Sequence, residues 1–365
     1  MARPSFLSLL IALIYILVVL SSNRWDPMAF VRIGGHFDQR AGGQEMGYDG
    51  QFAYQIARDP LNAWKYTDIA PYRYQRILYP ILVRALAFGQ AAAIPWVMLL
   101  INFAAFICGV YILELILLHY NQPIRYALVY GLFIGTLMSL RLDLNEILAY
   151  GLVLLGILSW IKDRRWVAIS IFSLALLTKE ITIIFLFAFT LSCLFKTPRK
   201  AIIWTAVGIA PLLIWKFVLF LPFHDWGLNS GGAMASSFEW IPYYGWWKMA
   251  LVAPVNFAII SLLIVPMVIA PSALGLWLSV RTLAKKQWEE GILAVLLSSI
   301  LIPFLPSSNI LDPLGISRAL IGLIIAFIFY GAKHNHKKLL NYCLLFCFSA
   351  VFIWGDSFLP SGTFH

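Results

Sequence analysis

The sequence predicts an all-α integral membrane protein of about 11 transmembrane helices, with surface helices in a long first outer loop. Three observations predict it. Hydrophobic residues fill 61% of 365 positions and charged residues only 12%, half of the ~25% typical of a soluble domain. Mean hydropathy is +0.82, and the apolar residues gather in blocks close to the ~20 that cross a hydrocarbon core as helix. The basic residues stand between these blocks, so the net charge of +10 reads as orientation signals and attraction to anionic headgroups. A nucleic-acid partner would need those cations together on one soluble surface.

Taken in order, the first block, Phe6 to Leu20, follows Arg3 and leads through Ser21-Ser22-Asn23-Arg24 into a polar segment. With no clear small-x-small cleavage pattern after it, it reads as a retained first helix at 5–22 and not as a signal peptide. Further spans are expected near 92–118, 126–140, 145–161, 166–178, 181–195, 201–220, 255–280, 291–306, 316–331 and 339–355. Only Thr178-Lys179-Glu180 separates the fifth from the sixth, which predicts short, tilted or partly re-entrant helices there. Together the spans make residues 1–365 a single polytopic membrane domain.

Alternating loops orient the chain. One side collects fourteen Lys and Arg, among them Lys162, Arg164 and Arg165, against three acids, Asp163, Glu289 and Glu290; thirteen of the seventeen acids fall on the other side. The basic side is predicted to be cytoplasmic. The N-terminus is then inside, the C-terminus outside, and the outer face carries 23–91, 221–248, 307–315 and the tail of a plasma (inner) membrane protein.

Cys108, Cys193, Cys343 and Cys347 all lie in apolar blocks, so no disulfide framework is implied. Cys343 and Cys347, four residues apart, are expected to share a helix face for packing. No internal repeat is evident, which argues against transporters built from repeated halves. No Walker-type phosphate loop occurs, which argues against ATP hydrolysis.

The first outer loop holds Gly34-Gly35-His36-Phe37-Asp38-Gln39-Arg40, then Gly47-Tyr48-Asp49-Gly50-Gln51-Phe52-Ala53-Tyr54-Gln55-Ile56-Ala57-Arg58-Asp59-Pro60. The second run predicts a helix entered at Asp49 and stopped before Pro60. Phe52, Ala53, Ile56 and Ala57 fall on one face of it, as in an amphipathic helix lying on the membrane surface. Next comes Tyr72-Arg73-Tyr74-Gln75-Arg76-Ile77-Leu78-Tyr79-Pro80. It leads into Ile81 to Phe88, which is too short to span and belongs in the interface.

An acidic residue heading a surface helix just after the first span resembles the GT-C superfamily of glycosyltransferases. The pattern Tyr-Asp-Gly-Gln-Phe, followed by Arg-Tyr-Gln-Arg-Ile-Leu-Tyr-Pro, is similar to a prokaryotic branch of it. Leu142-Asp143-Leu144-Asn145-Glu146, opening a span, and Ala175-Leu176-Leu177-Thr178-Lys179-Glu180, between two, also fit. The resemblance covers the first half of the chain well and the second half by topology only. It implies a GT-C-like fold and transfer of one sugar from a polyprenyl-phosphate donor to a lipid or glycan acceptor on the outer face, with Asp49 as base.

The chemistry points the same way, because such a transfer needs a base for the acceptor hydroxyl and cations for the leaving phosphate. Arg73, Arg76, Lys179 and Arg318 are the candidate phosphate ligands, the arginines first because a guanidinium grips phosphate with two parallel bonds. Gln51, inside the loop pattern, and Glu180, beside Lys179, complete the substrate-binding set. Asp38 is the rival base or a metal ligand, and Asp143 and Glu146 are supporting acids. No cofactor is implied with certainty; a divalent metal is an open alternative without an Asp-x-Asp pair to hold it.

Each candidate has a structural alternative. Asp49 could only cap its helix, accepting the amide of Gln51 or Phe52. Asp143 and Glu146, one helical turn apart and so expected on one face, could be a solvated helix start. Lys179 and Glu180 could pair with neighbours, Arg318 could snorkel outward, and Trp240, Tyr243, Tyr244, Trp246 and Trp247 could be an interfacial belt. A transporter or flippase of lipid-linked glycans, or a non-catalytic envelope-assembly protein, is the alternative function. Charges near the midplane would mark the former, and Glu114, near the inner end of its span, is the main acidic one.

Overall fold

The computed structural model describes residues 3–228, 236 and 238–354, and among them every regular element is helical. The chain runs through α1 (Pro4–Ser22), α2 (Gly50–Arg58), α3 (Ala70–Tyr74), α4 (Leu78–Leu86), α5 (Ile94–His119), α6 (Ile134–Arg141) and α7 (Glu146–Ile161). It continues through α8 (Arg165–Thr178), α9 (Ile183–Leu191), α10 (Pro198–Phe223), α11 (Pro254–Ala284), α12 (Glu290–Leu301), α13 (Pro313–Lys333) and α14 (Lys337–Cys343). Among the described residues, α1, α5, α10, α11 and α13 are long and apolar enough to cross a membrane.

Burial separates these helices into two kinds. In α13, 89% of the apolar window is enclosed by protein, and every residue from Leu320 to Tyr330 is buried. It is apolar all round because it is packed all round, against α6, α12 and α14. In α1, α10 and α11 only 22%, 17% and 22% of the window is enclosed. Leu213, Ile214 and Phe217 of α10 and Leu262 of α11 are exposed, and apolar surface on that scale is stable against lipid, not water.

Several predicted spans keep their position but change their form. The block at 126–140 is broken at Phe133, whose extended backbone separates a short helix, Leu128–Leu132, from α6. The freed groups are taken up locally: the Thr136 hydroxyl donates to the carbonyls of Tyr130 (2.6 Å) and Phe133 (2.7 Å), and Ser349 Oγ accepts the Ile134 amide at 3.0 Å. The block at 339–355 is α-helical only to Cys343 and continues as a 3₁₀ helix, Leu344–Trp354, so Cys343 and Cys347 do not share one α-helical face. With 14 residues, α8 is only about 21 Å long, short of a ~30 Å hydrocarbon core, as the charged turn after it predicts.

One expectation is overturned. The helix at Asp49–Pro60 does not lie on a surface: every residue of α2 from Gly50 to Ala57 is buried. Ala53, Tyr54 and Ala57 pack with Tyr79, Val83, Ile94 and Met98, while Ile56 packs with Tyr74 and Leu219 on another side. An amphipathic pattern records only that one face is apolar, and here protein supplies the cover. In contrast α4 leaves Ile81 and Leu86 exposed, with Phe88 just beyond it. The tail expected outside, from 355 onward, and parts of the 221–248 loop lie outside the described residues.

Candidate active site

A cavity of about 990 Å³ lies between α7, α9, α10 and α13 and the loop through Tyr72 and Arg76. Asp49, Arg76, Glu146, Lys179, Glu180 and Arg318 are among its charged lining residues, and Ile181, Ile184, Leu301, Phe304 and Leu305 among its apolar ones.

Asp49 is brought to this wall by close packing of α2 on the turn before α7. A Cβ on Gly50 would sit 2.2 Å from the Leu142 carbonyl oxygen, so glycine at that position lets the two backbones meet. The Asp49 side chain makes no capping bond, which removes the capping alternative. Its Oδ1 lies 3.0 Å from Arg73 Nη1, and its Oδ2 accepts a hydrogen bond from Arg318 Nη1 at 2.9 Å. Burial disfavours the charged carboxylate, but Arg73 and Arg318 outweigh it and hold Asp49 well below the usual carboxylate range.

Each arginine is itself braced. Arg73 gives two bonds to Asp68, Nε to Oδ1 and Nη2 to Oδ2, both 2.7 Å, and lies 4.1 Å over the Phe52 ring. Arg76 gives two to Glu180, at 2.8 and 2.6 Å, donates to the Tyr72 hydroxyl, and lies over that ring. Arg318 lies 5.1 Å over Tyr48, whose hydroxyl donates to Asp312 at 3.2 Å. Stacking and two-point pairing hold the planar guanidinium groups in fixed orientations.

Glu146 Oε1 completes the chain, 2.6 Å from Lys179 Nζ and 3.4 Å from Arg318 Nη1. The Asn145 amide donates to the Thr178 carbonyl at 3.2 Å and so ties the start of α7 to the turn bearing Lys179. The result is one connected network, Asp68, Arg73, Asp49, Arg318, Glu146 and Lys179, beside a second pair, Arg76 and Glu180. Arg318 therefore does not snorkel outward; its side chain is 14% exposed and turned onto two carboxylates.

Three predicted residues stand apart. Asp38 faces Arg40, at 2.7 Å to each oxygen, and the Gln55 amide at 2.8 Å. The Arg40 bond holds its carboxyl below the usual range against burial, and it does not line the cavity. Gln51 is spent on backbone, accepting from the Gly34 amide at 3.0 Å and donating to the Met46 carbonyl at 2.8 Å. Asp143 does not share a solvated face with Glu146. Both are buried, and Asp143, at φ 49°, turns instead toward Asn102 Nδ2, 3.4 Å away.

Residues not singled out from sequence also reach the site. Tyr48 and Tyr72 stood inside the quoted motifs. Lys216 also lines the cavity; its signal was a solitary charge inside an apolar block. Of the aromatic cluster, Trp240 lines the cavity and is 93% exposed, whereas Tyr243 and Trp246 bond Ser272 and Ser261 of α11. Among the described residues no group of three or more His, Cys, Asp or Glu is arranged to hold a metal ion, and both Asp49 oxygens already face arginines.

A fixed carboxylate among cations, beside an apolar wall, can accept a proton from a hydroxyl and receive a phosphate ester whose tail is lipid. Comparison of the chain with protein-family models, with characterised proteins and with solved structures finds no match.

Proposed function

We propose that the protein is an inverting membrane glycosyltransferase of GT-C type, which moves a sugar from a polyprenyl-phosphate donor to a lipid or glycan acceptor on the outer face of a plasma membrane. The observation that carries this reading is Asp49, held between Arg73 and Arg318 in a cavity lined by both charged and apolar side chains. In the proposed topology about 11 segments cross the bilayer, the short α8 and α9 among them, and the basic loops face the cytoplasm.

The acceptor oxygen attacks the anomeric carbon as the bond from that carbon to the phosphate oxygen breaks. The acceptor proton passes to Asp49, and the cations take up charge on the departing phosphate. Asp49 clamped by two arginines is a weak base. An arriving phosphate competes for the same guanidinium groups, loosens the clamp and raises the basicity of Asp49 where the acceptor needs it. Base strength is then coupled to donor occupancy, so that Asp49 becomes the stronger base only once a donor phosphate is bound.

The transporter reading is less well supported, because most charges lining the cavity, Asp49, Arg76, Glu146, Lys179, Glu180 and Arg318, are held in ion pairs. The test is turnover of a panel of radiolabelled polyprenyl-phosphate sugars by the lipid-reconstituted protein and by Asp49→Asn. Loss of about 10²- to 10⁴-fold in the folded variant is expected of a general base; unchanged turnover in Asp49→Asn would overturn the assignment.

A further inference from the structure

The arginines nominated for phosphate already have carboxylate partners: Arg73 has Asp49 and Asp68, Arg76 has Glu180, and Arg318 has Asp49 and Glu146. Lys179 has Glu146. Lys216 differs from all of them. It lines the same cavity and is 8% exposed, and among the described residues no carboxylate lies within ion-pair distance of it. Among the described residues its ammonium donates to the Trp226 carbonyl at 2.9 Å and to no other group. An ammonium has three donors, so two remain for the cavity. The carboxylates whose charge reaches it, Glu180 and Asp225, are engaged elsewhere: Glu180 with Arg76, and Asp225 with the Gly227 amide at 2.8 Å.

Its placement is deliberate in physical terms. Lys216 lies seven residues before the end of α10 at Phe223, about 10 Å along the axis, on the face of the helix that also buries Trp204, Gly208, Leu212 and Leu219. An ammonium at that depth is costly unless it is used. The backbone around it is pinned to the arginine-bearing loop on two sides. The neighbouring Trp215 Nε1 donates to the Tyr74 carbonyl at 2.7 Å. Gly227, at φ 62°, lets the turn after α10 approach Pro71 so closely that a Cβ there would meet its carbonyl carbon at 2.9 Å. Lys216 is thus held at a fixed position relative to Arg73 and Arg76.

We propose that Lys216 is the primary docking cation for the phosphate of the substrate, and that the phosphate engages the arginine network from there. This deepens the glycosyltransferase reading and rests on it for the nature of the ligand. A cation without a counter-ion can bind phosphate without first breaking an ion pair, whereas each arginine must exchange a carboxylate for it.

The test needs no turnover. Binding of farnesyl phosphate, farnesol and inorganic phosphate is measured on the full chain in nanodiscs, for wild type, Lys216→Gln and Lys216→Arg, with thermal melts as the folding control. Wild type should prefer farnesyl phosphate to farnesol by about tenfold or more; Lys216→Gln should lose that preference, and Lys216→Arg should keep most of it. In the wild type, farnesyl phosphate but not farnesol should slow labelling of Lys216 by an amine-reactive reagent. Equal protection by inorganic phosphate retains the site and makes its ligand a soluble phosphate. A folded Lys216→Gln protein that keeps the preference, or labelling unchanged by farnesyl phosphate, overturns the proposal. Charge-dependent binding at Lys216 without any sugar transfer would remove the glycosyltransferase reading alone. Donor turnover with an unchanged KM in Lys216→Gln would remove the Lys216 proposal alone.

Discussion

Asp49 and Asp143 lie on either side of one backbone contact, where Gly50 meets Leu142, yet their surroundings have opposite effects. Asp49 faces two guanidinium groups and a cavity, and its side chain keeps 30% exposure. Asp143 has no exposure and a long contact to Asn102, and among the described residues its Oδ2 and the Asn102 Oδ1 each lack a hydrogen-bond partner. Burial pushes the Asp143 carboxyl up to about 8, against smaller pulls from Asn102 and Arg141. Held as the neutral acid, Asp143 avoids the cost of an unpaired buried charge. Burial alone thus does not decide whether an acid is charged; the nearest cation does.

The sharpest way to break this comparison is to make the same change at both acids. Asp49→Asn should cost about 10²- to 10⁴-fold in sugar transfer. Asp143→Asn, which reproduces the neutral acid's donor and acceptor, should stay within about threefold of wild type. Equal losses in well-folded variants would mean that the two carboxylates are one functional unit.

Removing the cation instead of the acid comes next. Arg73→Ala leaves Asp49 without one partner and takes from Asp68 a pair with both members buried. It should destabilise the protein by about 3–5 kcal/mol, read as a lower midpoint in chemical unfolding in detergent. A smaller loss, below about 1 kcal/mol, would show that the pair is solvated as a surface bridge is.

Titration sharpens the contrast further. The folded pKa of Asp143 is raised, so its stabilising proton is fully present below the unfolded value of ~3.9 and is lost as pH rises toward about 8. Wild-type stability should therefore fall relative to Asp143→Asn between those limits, by up to about 1.4 kcal/mol per pH unit. Asp49 has the opposite sign: its contribution is present above ~3.9 and lost only as pH falls through a lower folded value. Melting curves of Asp143→Asn and wild type that stay parallel from pH 4 to 8 would refute the assignment.

The smallest effect is expected at Asp38. It pairs with Arg40, which is 47% exposed, and does not line the cavity, so Asp38→Asn should leave kcat/KM within about threefold. A loss comparable with Asp49→Asn would restore it as the base.

Much of the charged side of the site was legible along the chain. Asp49, Arg73, Arg76, Glu146, Lys179, Glu180 and Arg318 are charges at the edges of apolar blocks, where desolvation makes an idle charge expensive. Lys216 was passed over because a single lysine within a span gives no pattern to match. Asp143 and Glu146 were grouped by their spacing, but spacing implies a shared face only on a continuous helix, and a left-handed residue at 143 separates them. The α2 helix was assigned to the membrane surface because periodicity reports an apolar face and not what covers it.

By itself the sequence determined that the chain is helical, that its apolar blocks are too numerous for water to be the main solvent, and which charges stand near their ends. These follow from composition and local period, which each segment carries within itself. Only the tertiary structure decided which helices face outward and which, like α13, are enclosed, which acid receives the arginines and which is left with an amide, and that Lys216 shares their cavity with no carboxylate in ion-pair reach among the described residues. Those outcomes depend on distances between residues far apart in the chain, Asp49 and Arg318 above all, and such distances exist only once the helices have packed.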